Sequence, residues 1–171
     1  MPNLDPMQPD LMTESNARSS AGPWRTITLT GLLAGTLDAA AAIIVYNTGP
    51  ASLFKFIASG GFGAGRAFSG GDIMILWGVI FHYLIAFAWT LLFFFIYPAS
   101  PWLRKNKYVT GLLYGIFVWV IMNGVVIPLS EIAQRPFNLN GALIGLSILM
   151  IAIGLPISVL THRYYSRKGI V

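Results

Sequence analysis

The stretch IMILWGVIFHYLIAFAWTLLFFFIY, residues 73–97, decides the fold of this chain. It is apolar along almost its whole length and contains no Asp, Glu, Lys or Arg. A helix rises about 1.5 Å per residue, so roughly 20 apolar residues cross the hydrocarbon layer of a membrane. The stretch is therefore predicted to be a transmembrane helix.

Three further stretches resemble it in length and composition: residues 27–46, 108–129 and 139–160. Charged residues make up only 10% of the chain, whereas about a quarter of a soluble domain is charged. The sequence predicts an all-α polytopic membrane protein whose four transmembrane helices form two hairpins. The lipid bilayer is its first expected partner.

The terminal segments are predicted to lie outside this bundle. Residues 1–25 are rich in proline and lack an apolar period, so they are expected to be a disordered tail. Residues 26–165 are expected to form the transmembrane domain, and residues 166–171 a short basic tail.

Lys and Arg are unevenly divided among the joints between the four stretches. Eight of the 11 lie in the N-terminal segment, the second joint and the C-terminal segment, which share one side in a four-span chain. Cytoplasmic loops of membrane proteins carry an excess of these residues. Both chain ends are therefore predicted to be cytoplasmic. This placement explains the net charge of +5 without a nucleic-acid partner.

An internal echo hints at a repeat. Residues 30–35 read TGLLAG at the start of the first stretch, and residues 110–115 read TGLLYG at the start of the third. Two hairpins related by a parallel repeat would explain the echo, as in some carriers. A chance recurrence of Gly and Leu in apolar helices explains it equally well, and both interpretations stay open here.

The first joint, residues 47–72, is too long and apolar for a simple turn. Residues 50–59 are predicted to form a short interfacial or re-entrant helix with Pro50 in its first turn. A Gly-rich loop is predicted to follow it. Successive amides of such a loop can form an anion nest, which makes a candidate outer site of four residues. A merely flexible or re-entrant loop is the favoured alternative. The candidate residues are Gly61, Gly63, Gly65 and Arg66.

Each predicted transmembrane helix carries one strongly polar residue near the middle of the membrane. From the inner end, Asp38 lies about 18 Å deep, His82 about 16 Å, Asn123 about 22 Å and Ser147 about 18 Å. Small residues flank them at helical spacing, as in the row Gly78, His82, Ala86 and Thr90, and allow close helix packing. The four are therefore predicted to face one another as a midplane polar cluster.

Within that cluster, Asp38 is predicted to hydrogen-bond His82, directly or through one water. An acid and an imidazole that share a proton can serve as a relay or an ion-coupled site. The alternative is structural, a polar bond that fixes the register of two helices. The sequence favours the structural role slightly.

The absence of cysteine excludes disulfides and thiol catalysis, and no metal-ligand spacing or catalytic constellation is visible. We therefore predict no cofactor, no metal and no enzymatic activity. The favoured function is a non-enzymatic accessory or scaffold subunit of a membrane complex. The alternative is a small proton-linked carrier or channel that uses Asp38 and His82. A protein partner or a second copy of the chain within the membrane fits the first.

Several phrases resemble a family of small four-span bacterial inner-membrane proteins with no assigned activity. They are residues 53–60 (LFKFIASG), 67–71 (AFSGG), 76–78 (LWG), 81–87 (FHYLIAF) and 136–139 (PFNL). The resemblance covers most of residues 27–165. It implies a location in the bacterial inner membrane, and it implies no substrate, cofactor or reaction.

Overall fold

The computed structural model describes residues 22–132, 136 and 138–170, and this part of the chain is mainly helical with no strand. Its α-helices are α1 (Pro23–Val45), α2 (Pro50–Ser69), α3 (Asp72–Ile96), α4 (Pro101–Lys105), α5 (Lys107–Ile121), α6 (Leu139–Ile148) and α7 (Leu155–Arg167). A π-helical turn, Met122–Val126, extends α5, and a second, Leu149–Gly154, joins α6 to α7.

Four continuous helical segments are long and apolar enough to span a membrane. They are Pro23–Val45, Asp72–Ala99, Lys107–Val126 and Leu139–Arg167. The prediction of an all-α protein with four transmembrane helices is confirmed.

The terminal boundaries differ from the predicted ones. Helix α1 already begins at Pro23, so residues 23–25 do not belong to the tail predicted over residues 1–25. Proline suits this position because the first helical amide needs no partner. At the other end α7 continues to Arg167, beyond the predicted limit at residue 165. Residues 1–21 of the predicted tail, and Val171, lie outside the described residues.

The first joint also differs from its prediction. Helix α2 runs through the Gly-rich segment and is interrupted only by a kink at Gly63, where φ is +73°. Glycine tolerates this left-handed value, which allows the chain to turn without a loop. The backbone of Phe54 packs directly on Gly78, which lies about 9 Å along α3 from its start. Helix α2 therefore packs along the first two turns of α3.

In each hairpin the glycines of the internal echo lie on the face of the first helix that contacts the second. Gly31 of α1 faces the ring of Phe87 in α3, and Gly35 faces the ring of Tyr83. In the second hairpin, Gly111 and Gly115 of α5 face the backbone of the segment that joins α6 to α7. The TGLLxG words therefore mark the first helix of each hairpin at its contact with the second helix. This common use favours the repeat over a chance recurrence.

The apolar core lies toward the end of the bundle where the first turns of α1 meet the last turns of α7. Helix α6, which belongs to the opposite half, contributes no buried residue. The two halves therefore differ, with dense packing near the chain ends and sparse packing at the far end. The buried cluster consists of Ile27, Ala34, Phe93, Phe94, Tyr97, Val118, Ile153, Ile157 and Tyr165.

Polar contacts tie the dense end together. The Tyr97 hydroxyl and Nδ1 of His162 are 2.7 Å apart and share a hydrogen bond between α3 and α7. The Arg104 guanidinium donates to the carbonyl oxygen of Ile170 at 2.7 Å, which fastens the C-terminal segment to α4. These bonds add to the apolar packing at this end of the bundle.

Candidate functional site

His82 lies on the face of α3 that turns into the bundle. The row predicted from the sequence (Gly78, His82, Ala86 and Thr90) is buried along its length, and this prediction is confirmed. Nε2 of His82 lies 2.8 Å from the carbonyl oxygen of Gly35 in α1. A carbonyl oxygen only accepts, so Nε2 carries the proton and donates. In the neutral ring, Nδ1 is then the acceptor.

Close contact between α1 and α3 makes this bond possible. A Cβ atom on Gly35 would lie 3.0 Å from the Tyr83 ring and 3.2 Å from Cβ of Ala86, closer than almost all real contacts. A second bond, 2.9 Å between the hydroxyls of Thr36 and Tyr83, fixes the same register. The imidazole therefore reaches the backbone of α1 because residue 35 has no side chain.

Asp38 lies about one helical turn beyond Gly35 and is half-buried. His82 donates to the Gly35 carbonyl, about one turn from the Asp38 carboxylate. Both residues belong to the described part of the chain, and no hydrogen bond joins them. The predicted direct bond is therefore wrong. In the antiparallel pair, residue 83 faces residue 35, so the imidazole meets the Gly35 carbonyl before it reaches the carboxylate.

Asn123 and Ser147 do not join the pair. The Asn123 amide donates to the carbonyl oxygen of Trp119 at 2.9 Å, and the Ser147 hydroxyl donates to that of Leu143 at 2.8 Å. Both side chains are exposed, and each bonds to its own helix four residues back. The predicted cluster of four is therefore reduced to the neighbourhood of Asp38 and His82.

The four residues of the predicted outer site have separate surroundings. A Cβ atom on Gly61 would lie 2.8 Å from the Phe81 ring, so Gly61 serves the packing of α2 on α3. Gly63 forms the kink, and Gly65 faces open space. The guanidinium of Arg66 lies over the ring of Phe62, 5.8 Å from its centre. A kinked helix, with no common point for these residues, replaces the predicted loop and nest.

No metal centre is present among the residues that the structure describes. These residues contain no group of three or more His, Cys, Asp and Glu side chains arranged to hold an ion. The chemistry available at the site is therefore that of one carboxylate beside one imidazole.

A groove on the surface of the bundle has no signal in the sequence. It has a volume of about 470 Å³ and lies between the far half of α1 and the segment formed by α6 and the π-helical turn after it. Ala41 and Val45 lie three and seven residues after Asp38, so the groove follows the helix face that carries the carboxylate. Ser147 is its one polar side chain. The other lining residues are Leu143, Ile144, Ile148, Ile151 and Ala152.

Comparison of the chain with protein-family models, with curated proteins and with solved structures gives no match.

Proposed function

We propose that this chain is a non-enzymatic accessory or scaffold subunit of a complex in the bacterial inner membrane, with both chain ends in the cytoplasm. The groove between α1 and α6 is the observation that supports this function. Its lining residues all belong to two of the candidate spans, Pro23–Val45 and Leu139–Arg167. Its lining of small and branched side chains around one serine suits a partner helix, because small residues allow close approach and Ser147 offers a hydroxyl.

The sparse half of the bundle supports the same proposal. Helix α6 lies inside a candidate span but buries none of its residues against its own chain. Asn123 is exposed in a neighbouring span. Its amide makes one bond within its own helix, and the rest of this polar group is costly to expose to lipid, a cost that a protein partner would remove.

Photo-crosslinking from the groove tests the proposal. A photoreactive phenylalanine analogue at Ser147, with the chain in its native membrane, is expected to give one discrete adduct with another polypeptide on irradiation. The same analogue at Leu84, which is 65% exposed on α3 outside the groove, is the control and is expected to give none. An adduct at twice the chain mass of 18.6 kDa would identify a second copy as the partner. Equal adducts at both positions, or none at Ser147, would contradict the proposal.

A proton-linked carrier or channel is the second candidate. The observation that favours it is the half-buried Asp38, which lies about one helical turn from the Gly35 carbonyl to which His82 donates. The groove begins one turn further along the same face of α1, at Ala41. Ionisable residues within transmembrane helices are rare and commonly mark ion or proton pathways.

Proton flux distinguishes the two candidates. If the second is correct, proteoliposomes with an imposed membrane potential should take up protons faster than empty liposomes. Asp38→Asn should remove this uptake because an amide does not exchange a proton, whereas Asp72→Asn, at the start of α3, should leave it unchanged. A pH-sensitive dye inside the vesicles reports the flux. Wild-type uptake equal to that of empty liposomes would exclude a proton channel.

The proposed orientation has its own test. A reporter that is active only in the cytoplasm is expected to be active when it is fused after Val171. The same reporter inserted after Gly60, in helix α2 of the first joint, is expected to be inactive, because the excess of Lys and Arg lies on the other side. The reverse pattern would overturn the orientation while leaving the four spans intact.

A further inference from the structure

A cavity of about 210 Å³ opens at the dense end of the bundle, between the first turns of α1 and the last turns of α7. Its wall combines two kinds of side chain. The α7 side carries Arg163 and Arg167, which are four residues apart and so lie on one face of the helix. The α1 side carries two hydroxyls. The full lining is Thr26, Leu29, Thr30, Leu160, Arg163, Tyr164, Arg167 and Lys168.

We propose that this cavity binds the phosphate headgroup of an anionic phospholipid. The two guanidinium groups supply planar sets of donors that match phosphate oxygens. Within the described residues, neither donates a hydrogen bond to a protein acceptor. Arg104 at the same end differs in this respect, because it already donates to the carbonyl oxygen of Ile170. The guanidinium groups of Arg163 and Arg167 therefore present positive charge that no described acceptor of the chain neutralises.

The apolar part of the lining identifies the ligand as a lipid rather than a soluble anion. Leu29 and Leu160 lie on the side of the cavity that faces the middle of the spans, since both are further from the chain ends than the arginines. An amphiphile with its phosphate at the arginines would place its acyl chains along these leucines. Basic pockets between transmembrane helices at the membrane surface bind lipid headgroups in this way.

Native mass spectrometry of the full chain tests the assignment. The protein is released from nanodiscs that contain equal amounts of dioleoyl phosphatidylglycerol and dioleoyl phosphatidylcholine, so the acyl chains are matched and only the headgroup charge differs. The wild type is expected to retain one phosphatidylglycerol. Arg163→Gln with Arg167→Gln is expected to weaken this retention about fivefold for each guanidinium, so about 25-fold for the pair.

A matched variant removes the same charge elsewhere. Arg25→Gln with Lys105→Gln neutralises two basic residues at the same end that do not line the cavity, and it should keep the bound lipid. Arg163→Lys with Arg167→Lys should also keep most of it, because the positive charge remains. Helix content by circular dichroism confirms that each variant is folded. Equal loss in the two glutamine variants would overturn the proposal in favour of general surface attraction.

The same measurement distinguishes the lipid from two other occupants. Displacement of the lipid by millimolar inorganic phosphate would assign the cavity to a free anion and overturn the proposal. The acidic residues Asp5, Asp10 and Glu14 of the N-terminal segment are the second competitor. Lipid retention that appears only after these three are changed to their amides would assign the cavity to that segment and also overturn the proposal.

Discussion

Replacing Gly154 with alanine is expected to lower the free energy of unfolding by at least about 2 kcal/mol. A Cβ atom at this position would overlap the carbonyl oxygen of Gly111 and lie 3.0 Å from Cα of Gly115. These are backbone atoms of α5, so a change of rotamer does not relieve the overlap and the second hairpin must open. Overpacking of this kind costs about 1–3 kcal/mol, and more where the obstacle is rigid. Titration of the micelle with a denaturing detergent, followed by circular dichroism, measures the loss.

Gly124→Ala is the matched control. Gly124 also lies in a candidate span, but no atom is within 4 Å of the position of its Cβ. Alanine is the better helix former by about 1 kcal/mol, so this variant is expected to be neutral or slightly stabilised. Equal destabilisation in the two variants would show that α5 and the following hairpin segment do not cross at Gly111 and Gly154.

Replacing Gly78 with alanine is expected to detach α2 from α3 without unfolding the bundle. The added methyl group would overlap the backbone of Phe54, which α2 places directly on α3. A cysteine at Ala58, a fully buried position of α2, reports the release through its rate of reaction with a maleimide. The chain has no other thiol. The rate is expected to rise about tenfold for each 1.4 kcal/mol of docking free energy lost.

Gly65→Ala in the same reporter chain is the control, because Gly65 lies in α2 but faces open space. It should leave the labelling rate of the cysteine unchanged. Fast labelling of the parent reporter, before any glycine is changed, would contradict the docked position of α2. Slow labelling in all three chains would show that Gly78 is not the contact that holds it.

Hydropathy and small-residue spacing were enough to predict the four spans and the buried face of α3. Both signals depend on the helix alone. A window of apolar residues marks a crossing wherever its neighbours lie, and the row that contains Gly78 and His82 marks a face because glycine and alanine allow close approach. The interaction of His82 with α1 therefore had a basis in the sequence, although the acceptor is the Gly35 carbonyl and not the Asp38 carboxylate.

Relations between helices had no such signal. Depth counting placed Asn123 and Ser147 at the level of His82, but equal depth does not fix the direction in which a side chain points. Both residues also have a local acceptor, the carbonyl four residues back on the same helix, which satisfies a polar group without any partner helix. A polar residue at membrane depth thus predicts a satisfied hydrogen bond more securely than it predicts a cluster.

The extent of α2 was missed for a related reason. The glycines of the first joint predict a loop because they permit positive φ, and each also lowers helix propensity by about 1 kcal/mol. Packing on α3 overrides this cost, since Gly61 allows the Phe81 ring to approach and only Gly63 leaves the helical conformation. The groove beside α6 has no signal in the sequence because it is a gap between α1 and α6, and a gap depends on how two helices pack.

The order of synthesis gives one contact of α2 a particular meaning. The amide of Glu131 donates to the carbonyl oxygen of Gly60 at 3.0 Å, and this bond joins the first joint to the segment after α5. A growing chain folds from its N-terminal end, so α1 and α3 can pair while the later spans are still inside the ribosome. The carbonyl of Gly60 therefore lacks this partner until residue 131 has been made and the third span has been inserted. The bond is therefore expected to form late, and it joins the first hairpin to the second only after the third span has been made.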